Sequence, residues 1–236
     1  MKKFAILLMV SVLAASCIKS EPFLCRSLVM GYFTGGGDLA VDGGLVFHIV
    51  KTQVNIEAKP TDRVIALVDV MKQTGSSEKE YDVKLLDYTL PICKEALVAS
   101  EVTDWDAVGN DPVAPVERWC SGGHLNMRVL YFYKPSSKTV HTLNLVYDDA
   151  ASTVDTLFFS LRHNAFGETL GSDDVSEDEV AEDAVYASFP LAKYIPAGKD
   201  TVAVKISGTW YEANGGWYSE AAAPYSVVSK IWRDGE

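Results

Sequence analysis

The 236-residue sequence lacks most of the motifs that mark enzymes and nucleic-acid-binding proteins. Its four histidines are scattered, and it contains no His-Glu-x-x-His metal motif, Gly-x-Ser-x-Gly elbow or phosphate-binding Gly-Lys-Ser/Thr loop. Lysine and arginine total 21 against 32 acidic residues, a net charge of −11. Because phosphates require a basic surface, a nucleic-acid partner is disfavoured. We expect no catalytic residues, no cofactor and no metal.

Cysteine is also scarce, with four in the chain and no Cys-x-x-Cys. That absence argues against redox catalysis and thiolate zinc sites. If Cys17 is acylated, Cys25, Cys93 and Cys120 remain. One pair could form a disulfide in an oxidising compartment, but the spacing does not choose among the three pairings. We favour buried, unreactive thiols.

The N-terminus carries the longest apolar run, and it is too short to span a membrane. Lys2 and Lys3 precede an apolar stretch at 4–15 that ends in Leu13-Ala14-Ala15-Ser16-Cys17. This order predicts a lipoprotein signal peptide at 1–16, lipid attachment at Cys17 and a tether at 17–27. The alternative is an ordinary signal peptide with an incidental cysteine. We expect a lipid-anchored outer-membrane protein, on either the periplasmic or the cell-surface face.

The first half of the body has the composition of short strands. Runs rich in β-branched and aromatic residues are separated by glycine-rich turns. They lie at 28–33, 45–50, 63–71 and 81–86. Four or five strands in so short a segment predict a small barrel at 28–90, of the OB-like type.

A connector at 91–112 follows. Pro91 is suited to open a short helix over 92–98. The sequence Thr103-Asp104 has the character of a helix N-cap, and Gly109 that of a C-cap. The second half alternates apolar and polar residues with period two, which predicts an antiparallel β-sandwich at 113–236. The expected fold is therefore all-β: a barrel, a short helical connector and a sandwich.

Several segments of the second half resemble the NigD-like lipoprotein family. The similarity is carried by Val108-Gly109-Asn110-Asp111-Pro112-Val113, Leu125-Asn126, Thr142-Leu143-Asn144-Leu145-Val146 and Leu161-Arg162-His163-Asn164-Ala165-Phe166-Gly167. The resemblance covers most of residues 17–236 and implies an N-terminal OB-type barrel and a C-terminal β-sandwich behind a lipobox. The family has no established activity. Its name comes from a gene in a bacteriocin locus, which implies an immunity role, and no catalytic residues carry over.

The end of one predicted strand, Arg162-His163-Asn164, is a candidate binding corner. By alternation His163 points toward the core, as His141 does on a neighbouring strand, and both are expected to be hydrogen-bonded structural histidines. Arg162 points the other way. Asn164 either contributes with Arg162 to ligand binding or caps the backbone of a turn.

Aromatic residues flank an Asn-Gly-Gly turn near the C-terminus. Trp210, Tyr211, Trp217 and Tyr218 are arranged as in an aromatic hairpin. Cross-strand packing is one interpretation, and a platform for a sugar ring is the other. They are candidate ligand-binding residues.

Seven acidic residues crowd positions 173–183. Repulsion between like charges predicts a solvated loop, and calcium binding is the alternative, although the spacing does not fit an EF-hand. Such a loop would also attract a basic protein such as a cationic toxin.

Together these features predict a non-enzymatic, lipid-anchored envelope protein that binds a partner. A bacteriocin-immunity-like role with a toxin partner is the first hypothesis. The alternative is a surface lipoprotein that binds a glycan or a peptide.

Overall fold

A computed structural model describes residues 23–74, 78–169, 180–199 and 201–211, and the backbone of strand Tyr225–Lys230. Strands dominate these residues, which confirms the all-β prediction. The lipobox, Trp217 and Tyr218 lie outside the described residues. None of the described helices is long and apolar enough to cross a membrane.

The N-terminal strands close into a barrel with the order β1-β2-β3-β5-β4. These strands are β1 (Cys25–Phe33), β2 (Leu39–Val41), β3 (Leu45–Thr52), β4 (Arg63–Gln73) and β5 (Glu80–Thr89). Strand β1 pairs with both β2 and β4, which closes the barrel, and β3 runs parallel to β5. This is the arrangement of an OB-type barrel. The four predicted strands are present, and only the three-residue β2 was too short to be recognised by pattern.

The C-terminal strands form two facing sheets. The five-stranded sheet has the order β14-β13-β11-β10-β7, and the four-stranded sheet β6-β12-β9-β8. The bounds are β6 (Ile92–Cys93), β7 (Leu97–Val98), β8 (Ala114–Ser121), β9 (His124–Tyr133), β10 (Thr142–Tyr147), β11 (Thr156–Asn164), β12 (Ala181–Pro190), β13 (Thr201–Gly208) and β14 (Tyr225–Lys230). Inward-pointing residues of both sheets, among them Met127, Phe159 and Phe189, form one continuous core. The predicted sandwich is confirmed, but it is not wholly antiparallel, because β13 pairs parallel with β11. The exact domain limits stay a prediction.

The connector differs in part from the prediction. No helix forms over 92–98; instead β6 pairs parallel with β12, and β7 pairs parallel with β10. The segment thus adds one short strand to each sheet. The pairing gives hydrogen-bond partners to backbone groups that the helix predicted from Pro91 would have bonded internally. The second helix is confirmed as α1 (Trp105–Val108), preceded by a 3₁₀ turn at Ala99–Glu101.

Two further predictions need correction. Glu182 and Asp183, placed in the acidic loop, belong to β12, where they pair with Phe132 and Tyr131 on β9. Residues 173–179 of the acidic stretch lie outside the described residues. Cys25 and Cys93 are exposed, not buried, and Cys120 is half-buried; no disulfide joins any of the three within the described part of the chain. Cys93 is exposed because β6 is an edge strand.

A buried ion pair joins the barrel to the four-stranded sheet. The Arg63 guanidinium on β4 is fully buried and forms a two-bond pair with Asp42. It also donates to Ser188 Oγ (2.7 Å) and to Asn126 Oδ1 (3.2 Å), both on the outer face of that sheet. Ser121 donates to the same Asp42 carboxylate. The barrel therefore covers the outer face of the four-stranded sheet.

Candidate functional site

A groove of about 200 Å³ lies on the outer face of the five-stranded sheet. Strict alternation builds it, because Leu145, Phe159 and Ile206 point into the core while their neighbours point outward. Val146, Ser160 and Ser207 are among the residues that line the groove. Cationic and aromatic side chains complete the lining: Trp105, Phe158, Arg162 and Lys205.

Arg162 and Trp105 form one end of the groove. The guanidinium carbon lies 5.2 Å from the centre of the indole ring, a cation–π contact. Arg162 also donates from Nη1 to Asn110 Oδ1 (2.6 Å) and from Nε to Ser160 Oγ (3.2 Å). Burial lowers the pKa of Arg162 from its ordinary value of 12.5. The side chain is thus fixed in one orientation while it keeps its charge.

The short helix α1 places Trp105 over the sheet. Asp104 caps it, since its Oδ1 accepts a hydrogen bond from the backbone N–H of Ala107 (3.0 Å). At the other end Gly109 has φ of 78°, and a β-carbon there would lie 2.4 Å from the carbonyl oxygen of His163. Only glycine permits that approach without strain. The helix therefore contacts the end of β11 closely. Trp105 remains 42% exposed.

Lys205 and Phe158 form the other end of the groove. Their backbones are paired in register between β13 and β11, and the ammonium nitrogen lies 5.2 Å from the ring centre. Arg162 follows Phe158 by four residues on the same strand, so the two cationic ends are about 13 Å apart along the strand direction. Small hydroxyl side chains, Ser160 and Ser207, lie between them.

This arrangement suits an extended, anionic ligand. Each end offers a cation and an aromatic ring, and the middle offers hydroxyl groups that can donate or accept hydrogen bonds. The chain as a whole is strongly acidic, but screening limits its repulsion to about 8 Å at physiological salt. At contact distance, Arg162 and Lys205 therefore dominate the field that a ligand meets, with Asp148 the acidic residue of the groove lining.

Of the two candidate binding residues at the end of β11, the structure places only Arg162 in the groove. Arg162 points outward, as alternation predicted, and it lines the groove; its role in binding stays a prediction. Asn164 is 8% exposed, and its amide nitrogen donates to the carbonyl oxygens of Asp106 (3.0 Å) and Ala107 (3.1 Å). Its Oδ1 accepts from the backbone N–H of Phe166 (2.9 Å), which confirms the backbone-capping interpretation. Asn164 positions the connector and does not face a ligand.

The aromatic platform is not supported for its two described residues. Trp210 is 5% exposed and packs in the sandwich core, and its ring fills the space beside Gly208. Tyr211 stacks edge-on against Phe132, with ring centres 5.0 Å apart, and burial raises its pKa. Trp210 therefore stabilises the core, which corrects the binding role considered for it.

Three groove residues were missed by the sequence analysis. Phe158 has the outward parity of Arg162 on β11, and Lys205 has the outward parity of Ser207 on β13, so alternation along these two strands could have identified both. Trp105 follows an N-cap directly, but its placement over the sheet depends on a tertiary contact that no local pattern reveals. Among the described residues, no group of histidine, cysteine and acidic side chains has the geometry of a metal site.

Solved structures with the same fold come from Bacteroides and Parabacteroides species. A protein of unknown function from Bacteroides vulgatus has a TM-score of 0.64 at 19% identity, covering 89% of this chain and 93% of that one. A candidate toxin-related protein from Parabacteroides distasonis gives 0.63 at 20% identity, with coverages of 87% and 94%. A NigD-like immunity protein from Bacteroides caccae gives 0.59 at 20% identity, with 84% and 91%.

At such identities these structures show the shared fold of barrel and sandwich. No curated protein matches the chain. The family model of the NigD-like C-terminal beta sandwich domain, however, matches residues 96–216. That match extends over half of the chain and includes the connector helix, Arg162 and Lys205. The protein therefore belongs to the NigD-like family.

Proposed function

We propose that this protein is a non-enzymatic binding protein of the cell envelope that recognises an acidic segment of a partner protein in the outer-sheet groove. The observation that carries the proposal is the pair of cation–aromatic ends, Arg162 with Trp105 and Lys205 with Phe158. An extended peptide rises about 3.3 Å per residue, so acidic side chains four residues apart match the separation of the two cations.

The family supports a protein partner over a glycan. One structure with this fold is a NigD-like immunity protein and another is a candidate toxin-related protein. An immunity-like role requires binding without turnover, and a groove with fixed cations and hydroxyl groups meets that requirement. A bacteriocin or toxin with an acidic segment is the partner that this proposal favours.

The proposal includes a lipid anchor at Cys17 in the outer membrane. Its support is the sequence alone: a charged n-region, an apolar stretch and small residues directly before the cysteine. Radiolabelled palmitate should be incorporated into the protein in cells and should be lost from a Cys17→Ala variant. Unchanged labelling of that variant would contradict the anchor, without bearing on the groove.

Binding of a fluorescent hexaglutamate peptide tests the groove. Arg162→Met and Lys205→Met should each weaken binding about 10-fold or more, because a hydrogen bond to a charged group contributes roughly 1.5–3 kcal/mol. Arg128→Met is the matched control. Arg128 lies on β9 of the other sheet, 3.7 Å from Glu117, and its removal should leave binding unchanged.

Oligogalacturonate provides the competing ligand class. Binding of this acidic glycan, but not of the peptide, with the same dependence on Arg162 would replace the protein partner by a glycan. Equal losses in Arg162→Met and Arg128→Met would mean that binding follows overall charge, and the groove would be rejected as the site.

A further inference from the structure

The turn that follows β11 has an uncommon residue at its tip. The N–H of Glu168 donates to the carbonyl oxygen of Ala165 (3.0 Å), and the residues between them, Phe166 and Gly167, have φ of 53° and 85°. Positive φ at both central residues is characteristic of a type I′ turn, whose first central position is normally Asn, Asp or Gly. Within the described ranges, Phe166 is the only residue other than glycine that has positive φ.

Phenylalanine at this position strains the turn. In the left-handed conformation a β-carbon lies too close to the following carbonyl oxygen, and Asn tolerates this conformation better than Phe does. Burial of the ring offsets little of that cost, because Phe166 is 55% exposed. Residues held in a strained backbone conformation cluster at functional sites. Phe166 is therefore a candidate functional residue.

Hydrogen bonds fix the backbone of this turn. The N–H of Phe166 donates to Asn164 Oδ1 (2.9 Å), and the N–H of Ala165 donates to the Asp111 carboxylate (2.6 Å). Asn164 also donates to carbonyl oxygens of α1. The turn, the connector and the end of β11 thus form one hydrogen-bonded unit. A side chain on a fixed backbone loses less freedom when a partner binds, which favours binding.

Further exposed apolar side chains lie at the same end of the sandwich. Trp105 on α1 is 42% exposed, and Val140, two residues before β10, is 80% exposed. Strand β10 begins at Thr142, which pairs with Asn164 at the end of β11. Phe166 therefore belongs to a group of exposed apolar residues, and aromatic residues are enriched at protein interfaces.

The acidic groups near the turn are engaged within the chain. The Asp111 carboxylate is bonded to Ala165, and the Glu168 side chain, 15% exposed, approaches His141 Nε2 at 3.5 Å. His141 lies beside His163, with Nδ1 and Nε2 3.2 Å apart, and both rings point inward as predicted. The two carboxylates would repel an acidic residue of a ligand, whereas the Phe166 ring suits an apolar one.

The turn also continues the line of the groove. Phe166 follows Arg162 by four residues, as Arg162 follows Phe158, so each interval is at most about 13 Å along an extended chain. Trp105, whose ring contacts the Arg162 guanidinium, lies on the way. A ligand that leaves the groove at Arg162 therefore passes Trp105 and reaches Phe166.

We propose that Phe166 is an apolar docking point for the partner segment that occupies the groove. That segment carries acidic residues four positions apart for Lys205 and Arg162, and an aliphatic or aromatic side chain four positions further on, which packs on the Phe166 ring. The inference rests on the proposed function, because it specifies the sequence of the acidic segment. Asn in place of Phe166 gives a more stable turn but no apolar contact.

Thermal unfolding measures the strain without any ligand. Phe166→Asn should raise the melting temperature by about 2 °C or more, because Asn adopts positive φ more readily. Phe166→Tyr keeps both the ring and the strain and should melt as the wild type does. Phe23→Asn is the matched control. Phe23 is 47% exposed at the start of the barrel and its φ is not positive, so its replacement should not raise the melting temperature.

Fluorescent peptides measure the docking point. Hexaglutamate extended by Gly-Ser-Leu carries a leucine four residues beyond the fifth glutamate, and Leu-Ser-Gly-hexaglutamate serves the opposite chain direction. One of them should bind the wild type about 5-fold more tightly than the same peptide with serine in place of leucine, through partial burial of the leucine side chain. Phe166→Asn should abolish this gain and leave the affinity for hexaglutamate unchanged, whereas Phe166→Tyr and Phe23→Asn should retain the gain.

Three results would overturn the docking point. A lower melting temperature in Phe166→Asn would mean that the ring stabilises the turn. The leucine peptides could bind no more tightly than the serine peptides, or their gain could persist in Phe166→Asn. If hexaglutamate does not bind the wild type, the proposed function fails, whereas a leucine gain that depends on Phe166 would still support the docking point. If hexaglutamate binds and leucine adds nothing, only the docking point fails.

Discussion

Replacement of Arg63 by methionine should destabilise the protein severely. Methionine keeps much of the apolar stem but removes the guanidinium, and the Asp42 carboxylate, only 10% exposed, then loses its ion-pair partner. Asn126 and Ser188 each lose a hydrogen bond as well. Removal of one partner from a buried ion pair costs about 3–5 kcal/mol. We expect a loss of that size in the free energy of unfolding, measured by urea denaturation.

A second Arg–Asp pair on the same barrel supplies the control. Arg26 bonds Asp69 through Nε (2.8 Å) and Nη2 (3.1 Å), but its side chain is 55% exposed. Arg26→Met should cost no more than about 1 kcal/mol, because water replaces the lost partner. The double variant Arg63→Met/Asp42→Leu should recover at least half of the single variant's loss, since no buried charge is left unpaired. Equal costs for Arg63→Met and Arg26→Met would refute the argument.

Three further outcomes follow from burial, backbone geometry and titration. Trp210→Ala should lower the free energy of unfolding by about 3–5 kcal/mol in urea denaturation, whereas Trp105→Ala, at a half-exposed ring, should cost less than about 1 kcal/mol. Gly109→Ala should lower the melting temperature more than Gly123→Ala, because both have positive φ but only the β-carbon at 109 meets backbone. Between pH 6.5 and pH 4 the unfolding free energy should fall by about 3 kcal/mol more in the wild type than in His163→Phe, because burial lowers the pKa of His163 in the folded protein to about 4.

Alternation along the strands was sufficient to predict most of the fold. On β11 it placed His163 inward and Arg162 outward, because a residue's side of the sheet depends only on its parity. The barrel strands of eight residues or more were instead recognised by their β-branched and aromatic composition and by the turns between them. Alternation failed for β2, β6 and β7, which contain two or three residues each, because so short a segment contains no period to detect.

The site was less predictable because tertiary contacts assemble it. Trp105 and Arg162 are 57 residues apart, and their meeting depends on Gly109 and on the amide of Asn164. The prediction of a binding role for Trp210, in the aromatic cluster at 210–218, was wrong for a related reason. An aromatic residue beside a turn has the same local pattern whether its ring packs inward or outward, and Trp210 packs inward.

The barrel covers the outer face of one sheet of the sandwich and not that of the other, and this difference explains why the groove lies on the five-stranded sheet. Asn126 and Ser188, on the four-stranded sheet, bond the barrel through Arg63. That face is therefore occupied within the chain itself. The five-stranded sheet presents Arg162 and Lys205 on its opposite, outward side.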